Sequence, residues 1–188
     1  MFHAPDEKQT PLARPSVILW VGPKHTGKTT SAARLMEAAR AGGFVAAGCL
    51  APSVYANDLL IGFDIVNLGS GERAVLARRE TWPGADRKLR FTTGGLVLGN
   101  DALGSAATKD ADLIIVDEFG PLELMQAGWR SATDRLMTAT NAVLLLVVRE
   151  ELAAEVQELY RAVPSRRLRA TQPESIAEVL TVLGNNRR

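Results

Sequence analysis

The sequence predicts an α/β fold: a mainly parallel, doubly wound sheet with an antiparallel hairpin section in the middle. Apolar runs at 17–21, 113–116 and 143–148 have the length and composition of strands that are buried on both faces. Stretches with helical periodicity follow the first and third runs, and such alternation is typical of parallel sheets. Between them, residues 44–98 hold short apolar stretches separated by turns rich in glycine and proline, which favours hairpins.

The first half of the chain divides into elements as follows. After the run at 17–21, apolar residues spaced i, i+3, i+4, i+7 predict a helix that ends at Gly42-Gly43. Residues 100–108 are predicted to be helical. The middle section is predicted to contain strands at 44–50, 59–68, 73–79 and 91–98, with a polar loop at 82–90.

The second half alternates in the same way. A helix is predicted within 131–139, and another after the run at 143–148. A short strand near Leu168 precedes a last helix, which Thr171-x-x-Glu174 would open with capping-box spacing. We expect one domain over 16–188, preceded by a flexible extension at 1–15 that has three prolines and no periodicity.

Composition excludes several classes of protein. A formal net charge of +1 argues against a general nucleic-acid-binding protein. The sequence has neither a stretch of membrane-span length nor a signal-peptide core, so we expect a cytoplasmic protein without a membrane partner. Cys49 is the single cysteine, which rules out an internal disulfide framework, and its apolar neighbours predict an inert buried thiol.

A phosphate-binding motif follows the first predicted strand. The eight residues from Gly22 to Thr29 fit G-x-x-x-x-G-K-[ST], and they lie between a strand and a helix, as such a loop requires. Lys28 would reach the β and γ phosphates, and the Thr29 hydroxyl would bind Mg²⁺. The predicted nucleotide-binding residues are Gly22, Pro23, Lys24, His25, Thr26, Gly27, Lys28, Thr29 and Thr30.

Charged residues follow two other predicted strands at the same edge of the sheet. Asp117 and Glu118 come directly after the run at 113–116. Asp117 would hold Mg²⁺, directly or through water, and Glu118 would polarise a water for attack on the γ-phosphate. Alternatively, the pair only caps the next helix. Arg149 follows the third run and either senses the γ-phosphate as a catalytic residue or is a surface arginine.

The segment DEFGPLEL, residues 117–124, is similar to the D-E-[IF]-G-P-[LM]-E-L signature of the small nucleoside-triphosphatase family first characterised from thermophiles, also called cancer-related nucleoside-triphosphatases. Residues 62–66 and the turn at 68–73 resemble its hairpin, and residues 100–107 resemble its next helix. The resemblance runs from about 16 to 148. It implies a P-loop NTPase fold and slow, Mg²⁺-dependent hydrolysis of nucleoside triphosphates with little base preference.

The same resemblance implies that Lys28 and Thr29 bind phosphate and metal, that Asp117 is the metal-side carboxylate and that Glu118 is the base. The motif departs from the family at one place, since Lys24-His25 stands where family members commonly carry Pro-Gly.

Two alternative functions stay open. The first is a GTP-binding adaptor in molybdopterin cofactor maturation, because GPKHTGKT also resembles the phosphate loop of such adaptors. A small-molecule or nucleotide kinase, with the arginine-rich middle section as its lid, ranks third. A protein partner is left open.

Overall fold

The computed structural model describes residues 15–80 and 88–187. Apart from Pro15, the predicted N-terminal extension lies outside the described residues, as do Trp82 and most of the predicted loop at 82–90. The strands are β1 (Ser16–Gly22), β2 (Ala46–Leu50), β3 (Ser53–Ala56), β4 (Leu59–Asn67), β5 (Arg73–Arg79), β6 (Leu89–Phe91), β7 (Leu113–Val116), β8 (Val143–Arg149) and β9 (Ser165–Arg169).

Seven α-helices connect these strands within the described residues. They are α1 (Lys28–Ala41), α2 (Thr93–Ala102), α3 (Ser105–Thr108), α4 (Pro121–Leu124), α5 (Arg130–Ala139), α6 (Ala153–Leu159) and α7 (Pro173–Asn186). A 3₁₀ turn, Glu150–Leu152, leads into α6. Every helix in residues 15–80 and 88–187 is too short or too polar to cross a membrane.

The strands of the described residues form one sheet in the order β6-β5-β4-β2-β7-β8-β1-β9, with β3 paired to β4. Pairing is parallel from β2 through β7, β8 and β1 to β9. It is antiparallel among β2, β3, β4, β5 and β6. The predicted, mainly parallel sheet with an antiparallel section formed by the middle of the chain is therefore confirmed, and that section lies at one side of the sheet. Strand β8 lies between β7, which precedes the acidic pair, and β1, which precedes the phosphate-binding motif.

The parallel strands are buried on both faces, as their continuous apolar sequences predict. Ile18, Trp20 and Ile115 pack on one face against α1 and α7. Leu19 and Val116 point to the other face and pack against α2, α5 and α6. Because side chains alternate along each strand, the strands serve both cores at once and hold their carboxyl ends at one edge.

The predicted strand at 91–98 is wrong. Only Leu89–Phe91 is a strand, and the chain from Thr93 is α2. Thr92 caps this helix by accepting a hydrogen bond from the Gly95 amide. The buried residues of α2 are spaced i, i+3, i+4, i+7, which is helical spacing: Gly95, Leu98, Gly99 and Ala102.

Three smaller expectations also need correction. The last helix begins at Pro173 with Gln172 as its N-cap, so the capping box at Thr171 does not form. Proline suits the first helical position because that amide has no partner within the helix. The predicted helix at 100–108 is divided between α2 and α3 near Gly104. The predicted polar loop at 82–90 ends too late, since β6 begins at Leu89.

Candidate functional site

The phosphate-binding motif forms the turn between β1 and α1, as predicted. Gly27 is the N-cap of α1 and has a left-handed backbone with φ of 82°, a conformation that glycine adopts without strain. The Thr26 hydroxyl and the Lys28 ammonium both donate to the Pro23 carbonyl oxygen, each over 2.8 Å. Lys28 is thereby folded back across its own loop.

Lys28 lies close to two carboxylates at the end of β7. Partial burial lowers the pKa of Lys28, while the negative charges of Glu118 and Asp117 oppose that shift. The ammonium is partly desolvated and has one neutral carbonyl as its hydrogen-bond partner. A phosphate oxygen would be a stronger acceptor for it.

Asp117 is fully buried at the carboxyl end of β7. Its carboxylate accepts hydrogen bonds from the Ala51 amide over 2.9 Å and from the Glu118 amide over 2.8 Å, and the Thr29 side chain lies beside it. Burial, helped by the charge of Glu118, raises the pKa of Asp117 to about 6. The structure therefore brings together the two residues predicted to bind metal, Thr29 and Asp117.

Glu118 occupies a strained turn directly after Asp117. Its φ is 55°, a left-handed backbone that costs a non-glycine residue about 1 kcal/mol or more. Its side chain is 39% exposed, and its Oε2 lies 3.8 Å from Nη2 of Arg149. Arg149 ends β8, which lies between β7 and β1. Glu118, the predicted base, and Arg149, the predicted sensor, thus lie together at one edge of the sheet, while Asp117 is buried.

His25 is exposed on the phosphate loop and also has a left-handed backbone, with φ of 62°. Slight burial lowers its pKa first, followed by the positive charges of Lys24, Arg149, Lys28 and Arg79. Burial and the nearby cations together make protonation of His25 less favourable than that of a free histidine. The same charges would attract a polyphosphate.

The sequence did not identify the residues that support this edge. Glu123 is buried in α4 and accepts hydrogen bonds from the Gly120 amide over 2.8 Å and the Trp129 amide over 3.0 Å. The Trp129 indole N–H donates to the Asp117 carbonyl oxygen over 3.1 Å. These bonds fix the turn that contains Glu118. The sequence feature that could have predicted them is Glu123, which stands three residues after Gly120 at capping-box spacing.

A cleft with a volume of about 540 Å³ begins at the phosphate loop. Lys24 to Thr30 line one side of it, and Glu118 and Arg149 line its end. The opposite wall belongs to the antiparallel section and includes Tyr55 and Phe63. The cleft is therefore formed between the parallel and antiparallel parts of the sheet.

The residues at the loop suit a divalent metal that is shared with phosphate. Thr29 and Asp117 offer hard oxygen ligands, which Mg²⁺ prefers. Within the described residues, no group of three or more His, Cys, Asp or Glu side chains could hold a metal by itself. Mg²⁺ typically binds one or two protein oxygens together with substrate phosphates and water, and this pair fits that arrangement. Phosphate-loop nucleoside triphosphatases generally use a divalent metal.

Sequence comparisons agree with this geometry. The family model described as NTPase matches residues 17–178. The chain is 31% identical over 136 residues to nucleoside-triphosphatase THEP1 of Methanothermobacter thermautotrophicus, covering 72% of this chain and 78% of that protein. It is 29% identical over 164 residues to nucleoside-triphosphatase THEP1 of Pyrococcus abyssi, covering 85% and 90%.

Two solved structures have the same fold. A human cancer-related nucleoside triphosphatase superposes with a TM-score of 0.69 at 20% identity, over 94% of this chain and all of that one. THEP1 from Aquifex aeolicus superposes with a TM-score of 0.62 at 19% identity, over 89% and 98%. At these identities the structures show the fold alone.

The sequence relatives bear on function as well as on fold. They confirm the predicted class of enzyme, a nucleoside-triphosphate hydrolase, and give no support to the adaptor or the kinase alternative. A phosphate loop, a buried aspartate beside it and a family match over residues 17–178 lead to one conclusion: the chain belongs to the NTPase family.

Proposed function

We propose that the protein hydrolyses nucleoside triphosphates to diphosphates and phosphate with Mg²⁺, by in-line attack of water on the γ-phosphate. The observation that supports this most directly is the position of the buried Asp117 beside Thr29 of the phosphate loop, with Glu118 next to it at the mouth of the cleft. The names of the relatives support the same reaction.

Phosphate binding is the role of the loop. Its backbone amides and the N-terminus of α1 would surround the phosphate chain, since both present positive partial charge. Lys28 would leave the Pro23 carbonyl and contact the β and γ phosphates. The exchange is favourable because the ammonium gains an anionic partner in a partly buried place.

Metal binding is the role of Thr29 and Asp117. Mg²⁺, when bound, neutralises negative charge on the β- and γ-phosphate oxygens. Asp117 must be ionised for this, and its pKa of about 6 leaves it mostly ionised at neutral pH. The amides of Ala51 and Glu118 keep its carboxylate in place.

Glu118 would orient and polarise the attacking water, because it is the partly exposed carboxylate at the mouth of the cleft. Arg149, 3.8 Å from Glu118, would contact the γ-phosphate as charge develops on it. Slow turnover and broad base tolerance follow from the family resemblance. A cytoplasmic location stays a prediction from the sequence.

The test measures phosphate release by the pure protein with Mg²⁺ and each of ATP, GTP, CTP and UTP. We expect slow turnover of several nucleotides. Glu118→Gln should lower kcat about 10²–10⁴-fold, the usual contribution of a general base, and leave the affinity for a fluorescent nucleotide nearly unchanged. Glu155→Gln, an exposed carboxylate on α6, is the matched control and should behave as the parent.

Each part of the proposal has a contrary result. Equal turnover in Glu118→Gln would show that Glu118 is not the base, and lost nucleotide affinity would make it a metal ligand or structural group. Full turnover in excess EDTA would contradict metal dependence. Tight binding of one nucleotide without turnover sensitive to Glu118 would favour the adaptor.

A further inference from the structure

A second cavity, with a volume of about 190 Å³, lies beside the nucleotide cleft. Strands β4 to β6 form one side of it, and α2, α4 and the loop before α5 form the other. It shares Lys24, Phe63, Glu118 and Arg149 with the cleft. A molecule in this cavity would therefore lie next to the residues proposed to act on the γ-phosphate.

The walls of this cavity are mostly apolar. Phe91 on β6 lines the cavity and is 45% exposed, because it packs into neither core. Small-molecule sites typically combine such walls with a few polar groups that fix orientation. The main apolar lining residues are Leu60, Phe63, Leu76, Leu89, Phe91 and Leu96.

Arg79, at the end of β5, provides an unused donor in this cavity. Its Nε is buried and has no hydrogen-bond partner within the described part of the chain. A buried donor without a partner costs free energy, so a ligand that accepts from it would remove that cost. Arg79 lines the cavity together with Lys24 and Arg149, which also line the nucleotide cleft.

The charges around the cavity limit what it can accept. Lys24, Arg79 and Arg149 give three positive charges, whereas Glu118 and Glu123 give at most two negative ones, a balance of one positive charge or more. One carboxylate would neutralise that balance, and it can accept two hydrogen bonds from a guanidinium. A dianionic phosphate would lie close to Glu118 and Glu123 with excess negative charge.

We propose that this cavity binds a small carboxylic acid with an apolar body, its carboxylate on Arg79 and its body against the β4–β6 wall. The ligand binds together with nucleotide and not in place of it, because the phosphate loop lines the other cavity except at Lys24. This second site goes beyond nucleotide hydrolysis. It gives a small metabolite direct access to Glu118.

The test uses phenylacetate as the probe and phenylacetamide as its uncharged match, with binding to the full chain measured by isothermal titration calorimetry. We expect saturable 1:1 binding of phenylacetate and binding of the amide at least about tenfold weaker, the loss expected when a charged hydrogen bond is removed. Lys28→Ala should bind phenylacetate as the parent does. Loss of binding in Lys28→Ala would place the probe on the phosphate loop and overturn the proposal.

Variants of the cavity complete the test. Arg79→Gln should weaken phenylacetate binding about tenfold or more, and Leu122→Trp should abolish it by filling the cavity from α4. Arg135→Gln, an exposed arginine on α5 outside both cavities, is the matched control. If circular dichroism shows that Arg79→Gln is unfolded, phenylacetate binding by Leu122→Trp decides whether the proposal holds. No saturable binding, equal binding of the amide, or unchanged binding in Leu122→Trp would overturn the proposal.

Discussion

Two aspartates show how the parallel and antiparallel parts of this sheet differ. Asp117, at the end of the parallel strand β7, is fully buried, its donors among the described residues are neutral amides, and its pKa is raised to about 6. Asp64, on the antiparallel strand β4, is also partly buried, which would raise its pKa. Hydrogen bonds from Arg78 and Arg73 outweigh that effect, and its pKa is lowered.

The opposite pKa shifts of the two aspartates distinguish a candidate metal-binding residue from a residue that holds the fold together. Asp117 keeps a negative charge in a place that destabilises it, so a metal ion would relieve that cost. Asp64 already has its cations in the protein and gains nothing from a further ligand. The parallel half therefore supplies the groups that we propose to bind phosphate and metal, while the antiparallel half supplies a wall of the cleft.

The largest expected effect concerns the parallel half. Lys28→Ala removes the charged donor that would contact the β and γ phosphates, and kcat/KM for MgATP should fall by about 10²–10³ or more. Arg73→Gln, in the antiparallel half, removes a charge outside the cleft and should leave kcat/KM within about twofold. Steady-state phosphate release measures both. Equal losses in the two variants would contradict the division.

Backbone packing gives a second comparison. Gly48 on β2 has φ of 101°, and a Cβ there would lie 2.1 Å from the Ile115 carbonyl oxygen. Gly71, in the turn between β4 and β5, has φ of 77° with open space around it. Gly48→Ala should lose more than about 3 kcal/mol of unfolding free energy, and Gly71→Ala about 1 kcal/mol. Urea unfolding measures both, and similar losses would show that the backbone around Gly48 moves to accept a Cβ.

The raised pKa of Asp117 predicts a pH dependence of stability without metal. Because folding raises this pKa from 3.8 to about 6, the folded protein holds the proton more tightly. The contribution of Asp117 to the unfolding free energy is therefore fully present below about pH 4 and falls by roughly 3 kcal/mol by pH 7. Urea unfolding in EDTA, for the parent and Asp117→Asn, isolates this contribution. A difference between them that is flat or rises with pH would contradict the expected burial.

The sequence predicted the parallel half well because its signals are local. Strand β7 is a continuous apolar run that ends in charged residues, and the phosphate loop is a contiguous motif. The first part of helix α2, residues 93–98, was predicted as a strand because its packing depends on distant residues. A Cβ on Gly95 would lie 2.2 Å from the Val75 carbonyl oxygen, so glycine there lets the helix rest on β5.

The sequence did not predict the hydrogen bonds that support the site, because they also depend on residues distant in the chain. The bonds among Glu123, Trp129 and the backbone of Asp117 connect residues up to 12 positions apart, and only the folded chain shows which donors meet which acceptors. By contrast, Arg149 was placed correctly from the end of its strand. The fold rule that parallel strands end at one edge was sufficient for it.

The smallest expected effect tests the antiparallel half. Asp64→Asn removes the ion pairs with Arg73, 2.7 Å away, and with Arg78. Because Arg73 is mostly exposed, solvent screens the pair and the loss of unfolding free energy should be about 0.5–1 kcal/mol at pH 7. Since the pKa of Asp64 is lowered from 3.8, its contribution is present above that pH and is lost as the pH falls below it. Urea unfolding at pH 7 and pH 3 measures this. The difference between the parent and Asp64→Asn should shrink on acidification, the opposite sign to Asp117, and a difference that grows would show that the two arginines do not hold Asp64 ionised.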